Sequence, residues 1–163
     1  MVSRRRSREA GHRRKFLAVI DDTPECERAM RYAGMRAYNS GGGLVLVYVI
    51  EPGDFQHWLG VEEIMRAEAM EEAESTLAKA SEKMRQIIGI DPEVVIRQGK
   101  TTEEIHAAIE EDQDIAILVL AAGSAKDGPG PLVASIAGRG AAFPIPVTVI
   151  PDALTDDEID ALS

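Results

Sequence analysis

Residues 117–135 read ILVLAAGSAKDGPGPLVAS, and this stretch decides the fold. An apolar run of strand length, Ile115 to Leu120, ends in small residues and enters a Gly/Pro loop that leads to a helix beginning near Pro131. A β-branched run, Val147 to Ile150, follows between two prolines. In α/β folds, a buried parallel strand that leads through a Gly-rich loop to a helix N-terminus forms an anion site, because unbonded N–H groups and the helix dipole face the ligand.

The rest of the chain repeats this alternation of strands and helices. Three earlier strands are expected at 16–20, 44–50 and 94–96, and helices at 24–39, 61–88 and 101–111. The run Thr101-Thr102-Glu103-Glu104 is a capping signal for the helix at 101–111, and Thr155 and Glu158 have the capping-box spacing of a short terminal helix. The pattern predicts an α/β fold: an open, doubly wound, five-stranded parallel sheet of order 3-2-1-4-5 with helices on both faces.

Charge is distributed unevenly over the 163 residues, whose formal net charge is −10. Residues 1–15 hold seven Lys/Arg and one Glu, so the remainder has 11 basic and 27 acidic side chains. An acidic body repels phosphate backbones, and an aromatic share of 4% offers few stacking platforms, so we expect no nucleic-acid partner. We interpret 1–15 as a basic disordered tail, with a polyanion-contacting arm as the alternative, and 16–163 as one domain.

Neither a membrane partner nor an oxidising compartment is expected. The longest apolar runs fall well short of the roughly 20 residues that a membrane span needs. The only cysteine, Cys26, cannot form an internal disulfide, which fits a reducing, cytoplasmic location. At the start of a helix its thiolate would be favoured by the dipole, but with no basic partner evident a structural role is the simpler interpretation.

Ligands of open α/β sheets bind at the carboxyl ends of the strands where the strand order reverses. Here those strands are the first and the fourth, which end in Asp21-Asp22-Thr23 and Ala122-Gly123-Ser124. Asp21 could accept a hydrogen bond from a ribose hydroxyl or an adenine amino group, or it could be a plain helix cap.

The loop after the fourth strand has the composition of a phosphate cradle, although an ordinary strand–helix connection would also use Pro and Gly. It is not a P-loop, since no Gly-Lys-Ser/Thr follows, and no strand is followed by Gly-x-Gly-x-x-Gly. The candidate phosphate-binding residues are Gly123, Ser124, Lys126, Gly128, Gly130 and, one turn into the next helix, Ser135.

Catalytic and metal-binding patterns are lacking in the sequence. No pair of the three histidines has metal-ligand spacing, and no Ser/His/Asp or Cys/His constellation can be identified. We therefore expect no metal site and a binding protein rather than an enzyme, with weak ATP hydrolysis as the open alternative.

Three segments carry a family resemblance: FLAVIDDTPE at 16–25, YVIEP at 48–52 and PVTVIP at 146–151. Together they resemble the universal stress protein family over roughly residues 15–152. The resemblance implies a Rossmann-like, adenine nucleotide alpha hydrolase-like fold and a regulatory protein of the stress response. It also implies ATP or a related adenine nucleotide as the ligand, with or without Mg²⁺, and contacts from Asp21 and Val49 to the adenosine.

The family's phosphate loop reads Gly, two residues, Gly, nine residues, then Gly-Ser/Thr. Gly123 matches the first glycine, Lys126 stands at the second, and Ala134-Ser135 replaces the final pair in a segment about two residues shorter. In one interpretation Gly128 and Gly130 substitute and Lys126 contacts phosphate. In the other, two prolines remove backbone donors, and the chain is a dimeric interaction protein that binds no nucleotide.

The last strand bears on assembly. In the predicted order Val147 to Ile150 form a sheet edge without a protecting charge, and such an edge favours pairing with a second copy. Members of the family often dimerise there, so we expect a homodimer.

Overall fold

The computed structural model describes residues 4–21, 23–52, 62–124, 128, 130–138 and 143–163. Two of the predicted site residues, Asp22 and Lys126, lie outside this described part. The elements are β1 Lys15–Val19, α1 Cys26–Ser40, β2 Gly43–Ile50, α2 Glu62–Ile87, β3 Glu93–Gln98, α3 Thr101–Glu111, β4 Ile115–Ala121, α4 Pro131–Ala137, β5 Val147–Ile150 and α5 Asp156–Leu162.

The strands form one five-stranded parallel sheet in the order β3-β2-β1-β4-β5. This confirms the predicted fold class, sheet order and strand direction. The central strand β1 lies between β2 and β4, with Leu17 beside Val45 on one side and Leu118 on the other. The strand order therefore reverses at β1, as the sequence predicts.

Alternate residues of β1 point into two separate cores, which is why its residues 16–19 are all apolar. Phe16 and Ala18 pack with residues of α1, α2 and α5, whereas Leu17 and Val19 pack with residues of α3 and α4. All four are almost fully buried. Because all five strands are parallel, their carboxyl ends and the starts of the helices that follow them meet at one end of the sheet.

The described part of the basic N-terminal segment contacts the other end of the sheet, where the strands begin. Lys15 belongs to β1 and pairs with Asp112 at 2.9 Å. The Arg5 guanidinium donates hydrogen bonds to the carbonyls of Ile109, at 2.7 Å, and Ile115, at 3.2 Å. Ile109 is in the last turn of α3, where the carbonyls have no intrahelical donor, so the guanidinium both satisfies this helix end and holds the segment against the start of β4.

Among the helices of the described residues, none combines the length and the apolar composition that crossing a membrane requires.

Candidate functional site

A cleft opens at the edge where the carboxyl ends of β1 and β2 meet the starts of α3 and α4. Its volume is about 390 Å³, within the range of about 300–1,000 Å³ that is usual for small-molecule sites. Val19 and Val49 supply apolar surface from the strands, and Pro131 and Leu132 supply it from α4. The cleft thus combines apolar walls with a few polar groups, the usual make-up of a ligand site.

Asp21 lines the cleft directly after β1. One of its carboxylate oxygens accepts hydrogen bonds from the backbone N–H of Thr23, at 2.9 Å, and from the Thr23 hydroxyl. Helix α1 begins only at Cys26, and its cap residue, Glu25, makes no side-chain capping bond. Asp21 therefore stabilises the turn before α1 rather than capping the helix, and its other oxygen makes no hydrogen bond to a described residue.

A second carboxylate, Glu51, lines the same cleft at the end of β2. It accepts a hydrogen bond from the Thr101 backbone N–H at 3.2 Å and another from the Thr101 hydroxyl. These two bonds, and to a smaller degree the charge of Lys100, hold the pKa of the Glu51 carboxyl below its usual value. The carboxylate is therefore a fixed negative charge at neutral pH.

Sequence reasoning missed Glu51 and misassigned Thr101. The Thr-Thr-Glu-Glu run predicts a side-chain cap for α3, but the cap residue is Lys100 and no side-chain capping bond forms. The Thr101 hydroxyl instead donates to a carboxylate fifty residues earlier in the chain. The position of Glu51 directly after an apolar strand was the available signal, since Asp21 was identified on the same ground.

Only part of the predicted phosphate loop lies against the cleft. Ser135 lines it, whereas none of the described cleft-lining residues comes from 122–124, and Ala134 is exposed on the helix outside it. Gly128 and Gly130 have φ angles of 80° and 100°, which L side chains rarely adopt, so the turn into α4 requires glycine at both positions.

The start of α4 offers few donors to an anion. The helix has seven residues with Pro131 in its first turn, and proline has no N–H. The Ala122 backbone is also engaged, because its N–H donates to Ile150 at 2.9 Å and its carbonyl accepts from Arg28 at 2.8 Å. Phosphate binding by backbone groups alone is therefore restricted at this end of the site.

Arg28 is a further cation near this loop that sequence reasoning missed. It extends from α1 to the carbonyl of Ala122, ninety-four residues away along the chain, at the point where the chain leaves β4. Its Nε atom is buried and has no hydrogen-bond partner among the described residues. The sequence around Arg28 does not indicate this contact, because the two residues are far apart along the chain.

A smaller crevice of about 80 Å³ lies between the ends of β1 and β4. Asp21, Thr23 and Cys26 line one side, and residues 130–133 line the other. Burial raises the pKa of the Cys26 thiol, and this outweighs the opposing hydrogen bond to the Asp21 carbonyl. Desolvation of the charged form therefore outweighs any favourable effect of the helix dipole on the thiolate, and a structural role stays the simpler interpretation of Cys26.

The described residues contain no group of three or more His, Cys, Asp and Glu side chains placed to hold a metal ion. The charged side chains that line the cleft within the described part of the chain are Asp21, Glu51 and Lys100.

Comparison with solved structures supports the fold at low sequence identity. Universal stress protein UspA from Lactobacillus plantarum superposes with a TM-score of 0.69 at 18% identity, over 84% of this chain and 97% of that one. A universal stress protein from Archaeoglobus fulgidus in complex with dAMP has a TM-score of 0.60 at 20% identity, over 84% and 97% of the chains. One in complex with cAMP has a TM-score of 0.57 at 16% identity, over 84% and 95%.

A comparison with curated proteins finds no match to this sequence. The model of the universal stress protein family, in contrast, matches residues 12–151, which include all five strands of the sheet. On the strength of that match, together with the sheet order and the position of the cleft, this chain belongs to the universal stress protein family.

Proposed function

We propose that this protein binds ATP or a related adenine nucleotide in the cleft and acts as a homodimeric regulator in a stress response. The observation that carries the proposal is the cleft itself, with its volume of about 390 Å³ and the carboxylates of Asp21 and Glu51 beside the apolar side chain of Val49. Two family members of the same fold have been solved in complex with dAMP and with cAMP, which supports an adenine nucleotide as the ligand.

The proposed arrangement follows the order of the strands. The phosphates lie towards the loop between Gly123 and Ser135, with Lys126 contributing a charge, and the sugar lies at Asp21. The side chain of Asp21 accepts a hydrogen bond from a ribose hydroxyl through the oxygen that Thr23 does not use. Val49 packs against the base.

Isothermal titration calorimetry with ATP and AMP, each with and without Mg²⁺, tests the proposal. Asp21→Ala is expected to weaken binding about 10- to 100-fold, because a hydrogen bond to a charged group contributes about 1.5–3 kcal/mol. Asp157→Ala, an exposed aspartate on α5, is the matched control and should leave the affinity unchanged. Equal affinities of the wild type and Asp21→Ala would contradict the proposed placement.

A second candidate function is a dimeric interaction protein that binds no nucleotide. The short helix α4, with Pro131 in its first turn, favours it, since few backbone donors are left for a triphosphate. No heat and no change in melting temperature with any adenine nucleotide would support this alternative. Timed release of phosphate from ATP tests hydrolysis separately.

The homodimer is proposed to form through β5, the edge strand of the sheet. Val149 is 42% exposed, and beside it an apolar groove of about 310 Å³ is lined by Val133, Phe143 and Ile145 among others. Val149→Lys is expected to produce a monomer in sedimentation analysis, because an edge charge opposes strand pairing. Leu162→Lys, at a residue 62% exposed on α5, is the control that should keep the dimer.

A further inference from the structure

Glu51 is an acidic side chain of the cleft to which neither the sequence motifs nor the family resemblance assigns a role. It lies two residues after Val49 at the end of β2, and Thr101 and Lys100 stand across from it at the start of α3. It is thus on the side of the cleft away from the β4–α4 loop, because β1 separates β2 from β4 in the sheet.

The contacts of Glu51 leave half of its carboxylate unused. Both donors of Thr101, the N–H and the hydroxyl, bond to Oε1. Among the described residues no donor contacts Oε2. An ionised carboxylate accepts hydrogen bonds and cannot donate them. Oε2 of Glu51 is therefore an oriented acceptor that faces the cleft without a partner among the described residues. Because Thr101 already holds the carboxylate in place, the side chain loses less conformational entropy when a ligand donor binds to it.

The sheet sets the distance between Glu51 and the loop. Neighbouring strands are about 4.8 Å apart, so the ends of β2 and β4 are separated by about 10 Å. This is similar to the length of a nucleoside monophosphate from its phosphate to the far edge of its base. A nucleotide with its phosphate at the β4–α4 loop and its sugar at Asp21 consequently brings its base to Glu51.

We propose that Glu51 determines base specificity, by accepting a hydrogen bond from the exocyclic amino group of adenine and rejecting a purine with a carbonyl oxygen at that position. The inference rests on the proposed nucleotide function. Glu51 is exposed in the unliganded cleft, and a bound base would cover it. An oxo group in place of the amino group would then set two acceptors against each other, one of them charged, with no water between them. A site built to pair a donor discriminates strongly against an analogue that lacks it.

Calorimetric titration with AMP and with IMP, which differ at this position, tests the inference. Monophosphates are used because their binding depends least on the phosphate end of the site, where few backbone donors are available. For the wild type we expect AMP to bind at least about tenfold more tightly than IMP. Glu51→Gln keeps an acceptor for Thr101 but adds an N–H₂ donor, so the AMP/IMP preference should fall to about one.

Glu103→Gln is the matched control, since Glu103 is an exposed acid in the first turn of the same helix α3 and does not line the cleft. It should keep the wild-type preference. An equal affinity of the wild type for AMP and IMP would overturn the inference without any variant. So would a Glu51→Gln variant that keeps the wild-type ratio, or a wild type that prefers GMP, whose N1 and N2 donors would then be the groups recognised.

The two proposals fail in different ways. If the wild type binds neither AMP nor IMP, the proposed function and the base specificity both fall. If it binds both, and Glu51 does not affect the ratio, nucleotide binding stands and only the role of Glu51 is refuted.

Discussion

The ion pair between Arg31 and Asp160 joins α5 to α1, and its removal should destabilise the protein measurably. The guanidinium donates two parallel hydrogen bonds, from Nε at 2.7 Å and from a terminal nitrogen at 2.8 Å, to the two carboxylate oxygens. Such bidentate, charge-assisted pairs are among the stronger polar contacts in proteins. The Arg31 side chain is 19% exposed and that of Asp160 is 31% exposed.

The size of the effect follows from the bidentate geometry of the pair and from its partial exposure to solvent. A hydrogen bond to a charged group contributes about 1.5–3 kcal/mol, whereas fully exposed ion pairs contribute about 0.2–1 kcal/mol because water screens them. A pair of intermediate exposure should therefore have a coupling energy of about 1–1.5 kcal/mol. For a chain of this length that corresponds to about 3–5 °C in melting temperature. Ile159, fully buried beside the pair, should keep α5 docked in the variants.

A double-mutant cycle with Arg31→Met, Asp160→Asn and the double variant measures this energy by urea denaturation. Arg31→Met retains most of the apolar stem, and Asp160→Asn retains the shape of the carboxylate. A coupling energy below about 0.3 kcal/mol at low salt would refute the reasoning, because the pair would then behave like an exposed one. High salt should reduce the coupling energy only in part.

The pH dependence of the same cycle has a defined sign. The hydrogen bonds from Arg31 lower the pKa of the Asp160 carboxyl in the folded state. A lowered folded pKa means that the stabilisation is fully present above the ordinary aspartate pKa and is lost as the pH falls through the folded value. The coupling energy should therefore be constant near neutrality and disappear in acid, and a coupling that grows on acidification would contradict this assignment.

Three further predictions, two substitutions and one measurement of thiol reactivity, test other parts of the structure. Gly99→Ala should cost about 1–3 kcal/mol in urea denaturation, because φ is 148° and the new Cβ would lie 2.9 Å from Cγ of Glu104; Gly138→Ala, with a helical φ, is the control. Cys26, whose thiol pKa is raised by burial, should react with iodoacetamide at pH 8 more slowly than glutathione, and an equal or faster rate would contradict the burial. Thr155→Ala removes the capping oxygen of α5 and should cost about 0.5–2 kcal/mol, whereas Thr155→Ser should not; equal melting temperatures for the two would show that the cap is unimportant.

The sequence by itself determined the features that arise from neighbours along the chain. The apolar runs at Phe16–Ile20 and Ile115–Leu120 are short, continuous and alternate with helical segments, which is sufficient to predict a parallel sheet. The start of α4 at Pro131 and the cap of α5 at Thr155 are likewise confirmed, since the groups that form them are at most three residues apart. The handedness of the crossovers then limited the possible strand orders sharply, and the order that we expected among them is the one observed.

The partners of the polar side chains were decided only by the tertiary structure. Glu51 takes the donors of Thr101, although the local pattern predicts that the threonines cap their own helix. Arg28 reaches Ala122, and Arg5 reaches the end of α3, across about one hundred residues of sequence. A hydrogen bond requires its two atoms within about 3 Å of each other. Only the crossovers that place the end of β2 beside the start of α3 could bring a glutamate and a threonine fifty residues apart within that distance.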